Sequence, residues 1–181
     1  MQFQKKVKLK NGKSCFLRSG TAADGEAVLS VFLRTHAETD FLLSYPEENH
    51  MDAEAEGRML HEREESDNAL FLLALVDGVL AGTAGINPVG EREKLRHRAE
   101  FGIGIEKEFW GQGVGRALTE ACIQSAREAG YVQLELSVVE GNDRALALYE
   151  SLGFREYGRN PRGFRLRTGE YQTLIDMRLE L

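Results

Sequence analysis

The sequence has few cysteines, no long apolar run and a deficit of positive charge. Its two cysteines, Cys15 and Cys122, suggest no disulfide framework, and Cys122 lies on an apolar stripe where a free thiol packs as a small hydrophobe. No run approaches the roughly 20 apolar residues of a membrane-spanning helix. The start, Met1-Gln-Phe-Gln-Lys-Lys-Val-Lys-Leu-Lys, carries charge but not the apolar stretch of a secretory signal. A cytoplasmic protein without a membrane partner is therefore expected. Lysine and arginine number 23 against 29 acidic residues, a formal charge of −6, which argues against binding nucleic acid by phosphate neutralisation. His36, His50, His61 and His97 have neither metal-ligand spacing nor cysteine company, so they read as surface or loop residues and no metal is expected. Repeats, linkers and low-complexity segments are absent too. What is left is 181 residues, 42% hydrophobic and 29% charged, which is ordinary for one folded domain over residues 1–181.

Glycine is present where it carries information. Residues 110–118 read Trp-Gly-Gln-Gly-Val-Gly-Arg-Ala-Leu and join an apolar strand to an amphipathic helix. Gly111, Gly113 and Gly115 leave the backbone uncovered where a helix offers unpaired N–H groups. Those amides, with the positive end of the helix dipole, suit a phosphate or pyrophosphate. Downstream, Val114, Ala117, Leu118, Ala121, Cys122 and Ala126 recur at helical spacing, and Gly130 ends the helix. No Lys-Ser or Lys-Thr follows the glycines, which excludes the nucleotide-triphosphate loop. Arg116 stands where a dinucleotide fingerprint needs its third glycine. Glu135 falls about twenty residues on, where that fingerprint has its ribose-binding acid, but it sits in mid-strand.

In that strand Val132, Leu134, Leu136 and Val138 alternate with Gln133, Glu135 and Ser137, the pattern of a half-buried strand. After Glu140-Gly141, Asn142 precedes a stripe of Ala145, Leu148, Tyr149 and Leu152, closed by Gly153-Phe154. The order is strand, glycine-rich turn, helix, strand, then Asn-x-x-Ala-x-x-Leu-Tyr-x-x-x-Gly-Phe. This order resembles the GNAT superfamily of acetyl-coenzyme A-dependent N-acetyltransferases. The specific match spans residues 98–154, and the flanks follow the family's order more loosely. One position departs. The family motif opens Arg/Gln-x-x-Gly-x-Gly/Ala, and Trp110 holds its first place here. A side-chain donor to phosphate is missing there, and Gln112 or Arg116 is left to supply one.

The resemblance implies a single-domain GNAT-like acyltransferase fold, α/β, with a mixed central sheet flanked by helices. It implies acetyl-coenzyme A as cosubstrate, contacted by Gly111, Gln112, Gly113, Val114, Gly115, Arg116 and Asn142, and by the backbone of Ile103 and Ile105. In the family the pantetheine arm pairs with the strand before the glycine turn, and the Ile103 amide is the candidate for polarising the thioester oxygen. The bland alternative is that Gly102-Ile103-Gly104-Ile105 is only a bulged core strand. An acceptor with a lysine-like pKa of ~10.4 is about one-thousandth neutral at pH 7, so a base or water chain is useful. Glu100 matches one of the family's base positions; the other falls on Ser137, which cannot serve. The competing role for Glu100 is a salt bridge to Arg98. Tyr149, seven residues after Asn142, matches the family's general acid, or else is a core aromatic. A phenol of pKa ~10 facing a thiol of ~8.5 makes full transfer uphill by about 2 kcal/mol, so Tyr149 acts better as a hydrogen-bond donor to the forming thiolate. Asn142 suits a helix N-cap as well as a coenzyme contact.

The remaining elements read coarsely. Cys15–Arg18 starts a strand, and Asp24 to about His36 is a helix with Val28, Val31 and Phe32 inward. A second helix over residues 52–65 has Met59 as its anchor and an acidic, solvated face. Residues 69–76 and 79–86 make a hairpin across Asp77-Gly78, 87–98 are a loop, and 99–105 a strand. Strands near 154–158 and 171–181 flank an arginine-rich loop. Three functions are weighed. The first transfers acetyl to a small-molecule or peptide amine by direct attack in a ternary complex, as monomer or homodimer. The second is a non-catalytic acyl-coenzyme A-binding sensor, and the third a dinucleotide-dependent enzyme.

Overall fold

The apolar runs become eight strands of one sheet, in the order β1-β2-β3-β4-β5-β6-β8-β7. In the computed structural model, which describes residues 1–181, these are β1 Gln4–Lys8, β2 Ser14–Ser19, β3 Leu70–Val76, β4 Val79–Pro88, β5 Arg98–Ile105, β6 Gln133–Val139, β7 Arg155–Arg165 and β8 Tyr171–Glu180. The helices are α1 Gly25–Glu38, α2 Ala53–Glu65, α3 Val114–Glu128 and α4 Asp143–Ser151. Only β5 and β6 run parallel. The expected mixed α/β sheet flanked by helices is what the chain adopts.

Local chemistry sets the corners. The β3–β4 hairpin turns through Asp77 and Gly78, both left-handed at φ 51° and 86°, as a two-residue hairpin turn requires. Helix α3 presses Val114, Leu118, Ala121, Cys122 and Ala126 into the main core, with Leu72, Ala84, Ala99, Leu134 and Phe154 in the same cluster. Leu118 is fully buried, so its truncation to alanine would destabilise by about 2–5 kcal/mol.

One element is new and two expectations are corrected. Residues 4–8 form an edge strand; only Val7 among them packs on the core, and the lysines of such a strand hide its periodicity. The arginine-rich stretch is not a loop but the body of β7, which zips to β8 with register shifts at 156–158 and 160–164. On α2 the buried anchor is Leu60, not Met59, and Glu56 is buried where a solvated face was expected. Gly57 explains this: a Cβ there would stand 2.7 Å from the Ala22 carbonyl, so the helix sits close against the segment before α1 and carries Glu56 inward. Burial pushes the Glu56 carboxyl above its usual range.

One irregularity positions the site. β5 pairs with β4 along nearly all of its length, from Gly82–Ile105 to Pro88–Ala99. β6 and β8 likewise pair from Gln133–Glu180 to Val139–Leu174. β5 and β6 pair only at Arg98–Gln133, Ala99–Leu134 and Glu100–Glu135. Beyond Glu100 the two halves of the sheet part and leave a cleft.

Candidate active site

The cleft measures about 810 Å³. Its walls are the free edges of β5 and β6, the glycine turn, α4, the loop after α1, and β7–β8. The backbone of β5 faces it in alternation. The carbonyl of Arg98 accepts from the Val89 N–H (3.1 Å) and the Glu106 N–H donates to the Ala81 carbonyl (3.0 Å), so even-numbered residues face β4. Odd-numbered Phe101, Ile103 and Ile105 therefore turn their peptide groups toward β6, where no strand pairs with them past Glu100. The Ile103 N–H is an unpaired donor on the cleft wall. The Ile105 carbonyl is already used, accepting from Trp110 Nε1 at 2.7 Å.

At the turn, Gly111 and Gly113 take φ of 76° and 103°, a region that L side chains avoid, and Gly113 caps α3 with no side-chain acceptor. The first amides of α3 are thus left for a ligand. A Cβ on Gly115 would stand 3.3 Å from Ile105 Cδ1 and 3.4 Å from Leu148 Cδ2, in the space between turn and strand. Lys10, Arg116 and Arg144 line this end, Arg144 with its guanidinium 4.8 Å from the Trp110 ring centroid. Unpaired amides, three cations and glycines a side chain would obstruct suit an elongated ligand bearing phosphates.

Glu100, Ile103, Ile105, Gly111, Gly113, Gly115, Arg116, Asn142 and Tyr149 all line this cleft. Gln112 and Val114 do not. The Gln112 amide donates to the Glu108 carbonyl and accepts from Asn11 Nδ2, each at 2.7 Å, stapling the turn to the β1–β2 corner. Its side chain is thus held at the rear of the turn, and the Val114 side chain is buried in the core, so of Val114 only the backbone amide is at the turn. Arg116 donates to Ser151 Oγ at 2.6 Å and stays at the cleft wall. Asn142 Oδ1 accepts from the Ala145 N–H at 3.3 Å, so the N-cap role holds.

Glu100 is exposed in the cleft with no ion pair or hydrogen bond; the bridge to Arg98 does not form. Arg98 instead clamps Glu135 through Nε (2.5 Å) and a terminal nitrogen (2.7 Å), which holds that carboxyl below its usual range. Tyr149 is 6% exposed and packs on Phe101 and Phe154 with centroids 6.1 and 5.7 Å away. Its hydroxyl lacks a protein partner, and burial pushes its pKa above the ordinary phenol value. The phenol thus stays protonated, a free donor on a residue that lines the cleft. Lys10, Arg144, Glu135 and the Phe41-Leu42-Leu43 segment were not singled out for this site. Of these, Glu135 is weighed only as a ribose-binding acid, and Arg144 has a local signal, two residues after Asn142.

Comparison with known proteins agrees with this geometry. The family model "Acetyltransferase (GNAT) family" matches residues 32–154. The chain is 35% identical over 97 residues to N-alpha-acetyltransferase RimI of Mycobacterium tuberculosis, covering 54% of this chain and 59% of that protein. It spans less than two thirds of the length of such curated relatives. It is similar to the crystal structure of a GNAT-family acetyltransferase from Streptococcus pneumoniae, with TM-score 0.88, 28% identity, and 92% and 99% of the two chains covered. It is also similar to ribosomal-protein-alanine N-acetyltransferase from Brucella melitensis, with TM-score 0.80, 28% identity, and 91% and 99% covered. With the parted strands, the glycine turn and the match over 32–154 in place, this chain belongs to the acetyltransferase (GNAT) family, whose members draw the acetyl group from acetyl-CoA.

Proposed function

We propose that this chain is an acetyl-CoA-dependent N-acetyltransferase that acetylates a primary amine of a small molecule or protein by direct attack within a ternary complex. The observation that carries it is the shared cleft: two reactive groups without protein partners, the Glu100 carboxylate and the Tyr149 hydroxyl, line the same space as the phosphate-binding turn. A module that only sensed acyl-CoA would need the turn but neither group.

Acetyl-CoA, when bound, supplies an activated acetyl group as a thioester. The amides of Gly113–Gly115 and the side chains of Lys10, Arg116 and Arg144 hold its phosphates. The Ile103 N–H, unpaired on the strand edge, donates to a carbonyl oxygen that gains negative charge. Glu100 takes the proton of an incoming ammonium at its carboxylate, directly or through water. Tyr149 Oη donates to a departing thiolate; its raised pKa makes it a hydrogen-bond donor and not a full proton source. Trp110 ties the turn back to Ile105 and so fixes the strand end that carries these donors.

The test incubates the chain with acetyl-CoA and a broad panel of amines and peptides and follows thiol release. Amine-dependent release is expected. Acetyl-CoA binding with no release for any amine favours the sensor, and stabilisation by NAD instead of CoA favours the dinucleotide enzyme.

A further inference from the structure

We infer that the acceptor is a primary amine carrying an apolar group and no anionic group beside the nitrogen. The inference rests on the acetyltransferase reading above and concerns the end of the cleft away from the glycine turn.

Charge is segregated along the cleft. Its cationic lining residues, Lys10, Arg116 and Arg144, belong to the turn and the elements against it. The opposite end is built from Phe41, Leu42 and Leu43 of the loop after α1, with Phe164 of β7 and Leu174 of β8. At the apex between the two ends, where β5 and β6 part, the charged groups are carboxylates, Glu100 and the clamped Glu135. A carboxylate or phosphate beside the acceptor nitrogen would meet apolar carbon and like charge, with no cation to receive it.

The nearby arginines do not change this. Arg159 is bound to Glu156 and Glu140 at 2.7 and 2.6 Å. Arg162 and Arg165 lie over the Tyr171 ring, 5.2 and 5.9 Å from its centroid. Arg167 stacks on Tyr45 at 3.7 Å and pairs with Glu47, and Arg98 is spent on Glu135. None of them lines the cleft.

The apolar end also lacks a cover of its own. Leu43 is 82% exposed at the lip, beside Phe41 and Leu42, which are only half-buried. Apolar carbon left in water on the wall of a cleft is what a ligand's apolar group would cover. Glu100 then receives the ammonium, so apolar wall and carboxylate select the two halves of one molecule.

The experiment compares three acceptors by kcat/KM at saturating acetyl-CoA: phenethylamine, phenylalanine, which adds one carboxylate, and ethylamine, which removes the ring. Phenethylamine is expected to exceed each of the others by about tenfold or more, a difference that one apolar group or one misplaced charge supplies. Leu43→Lys, at a site with almost no packing to lose, places a cation at the lip and should narrow the preference over phenylalanine by about threefold or more. Phenylalanine used as well as phenethylamine, or an unchanged ratio in Leu43→Lys, overturns the inference. Release confined to anionic or polar amines of the wider panel overturns it while leaving the acetyltransferase reading intact. Release with no amine at all overturns both.

Discussion

The two ends of the cleft are made in different ways. The glycine-turn end is built mainly on one continuous segment, residues 101–116, and acts chiefly through its backbone: left-handed glycines, unpaired helix amides and the odd-numbered peptides of β5, with the side chains of Lys10 and Arg144 added from elsewhere in the chain. The apolar end comes from three distant segments, 41–43, 164 and 174, and acts through side chains. A backbone site tolerates side-chain change as long as φ and space are kept, and is destroyed where they are not. A side-chain site changes its preference residue by residue. The first end is therefore intolerant of change at a few backbone positions, and the second can be altered one side chain at a time.

The largest expected effect breaks the backbone end. Gly113→Asp forces a side chain to φ 103° and sets a negative charge against the anion site. It should abolish the rise in melting temperature that acetyl-CoA gives the native protein, with circular dichroism confirming the fold; a retained shift would show that the turn is not the site.

Between the two ends sits Tyr149, whose ring belongs to the core and whose hydroxyl belongs to the cleft. Tyr149→Phe keeps the contacts with Phe101 and Phe154, so kcat should fall about ten- to a thousand-fold with little change in the KM for acetyl-CoA. Full activity with a verified acceptor would reduce the tyrosine to a packing residue.

A smaller effect is expected at Glu100. Glu100→Gln should lower the rate about tenfold or more at low pH and less at high pH, where free amine is plentiful. An equal loss in kcat/KM at every pH would assign Glu100 to binding alone.

The smallest effect concerns the apex where the two ends meet. Arg98 lowers the Glu135 carboxyl, so its pKa is below the unfolded value. The stability from this pair is complete above the ordinary glutamate pKa of ~4.3 and is lost as pH falls through the lower folded value. Glu135→Gln should cost about 1–3 kcal/mol at pH 7 in urea unfolding and flatten the acid dependence below pH ~4; the same acid slope in the variant would place the sensitivity elsewhere.

Legibility in the sequence follows the same division. The turn, α3, β6 and α4 could be read because their signals are local: glycines at fixed offsets, a 3.6-residue stripe, strict alternation, a capping asparagine. The chemistry of Gln112 suits a phosphate, but that its side chain reaches Glu108 and Asn11 is set by the fold and not by its neighbours in the motif. Strand β1 and the body of β7 were hidden because their charges conceal alternation, and their extended form comes from partners β2 and β8. Leu60 and Glu56 face inward because Gly57 lets α2 approach the segment before α1, which no window of α2 contains.

By itself the sequence determined the family, the mixed sheet and the glycine turn that opens α3 with its amides unpaired, because backbone conformation and helix capping are short-range. Only the tertiary structure decided where β5 and β6 part, which carboxylate Arg98 takes, that Glu100 is left unpaired, and that Phe41–Leu43 meet Phe164 and Leu174 across one cleft. Those outcomes depend on pairings between residues tens of positions apart, and chain order alone does not encode which partner at long range wins.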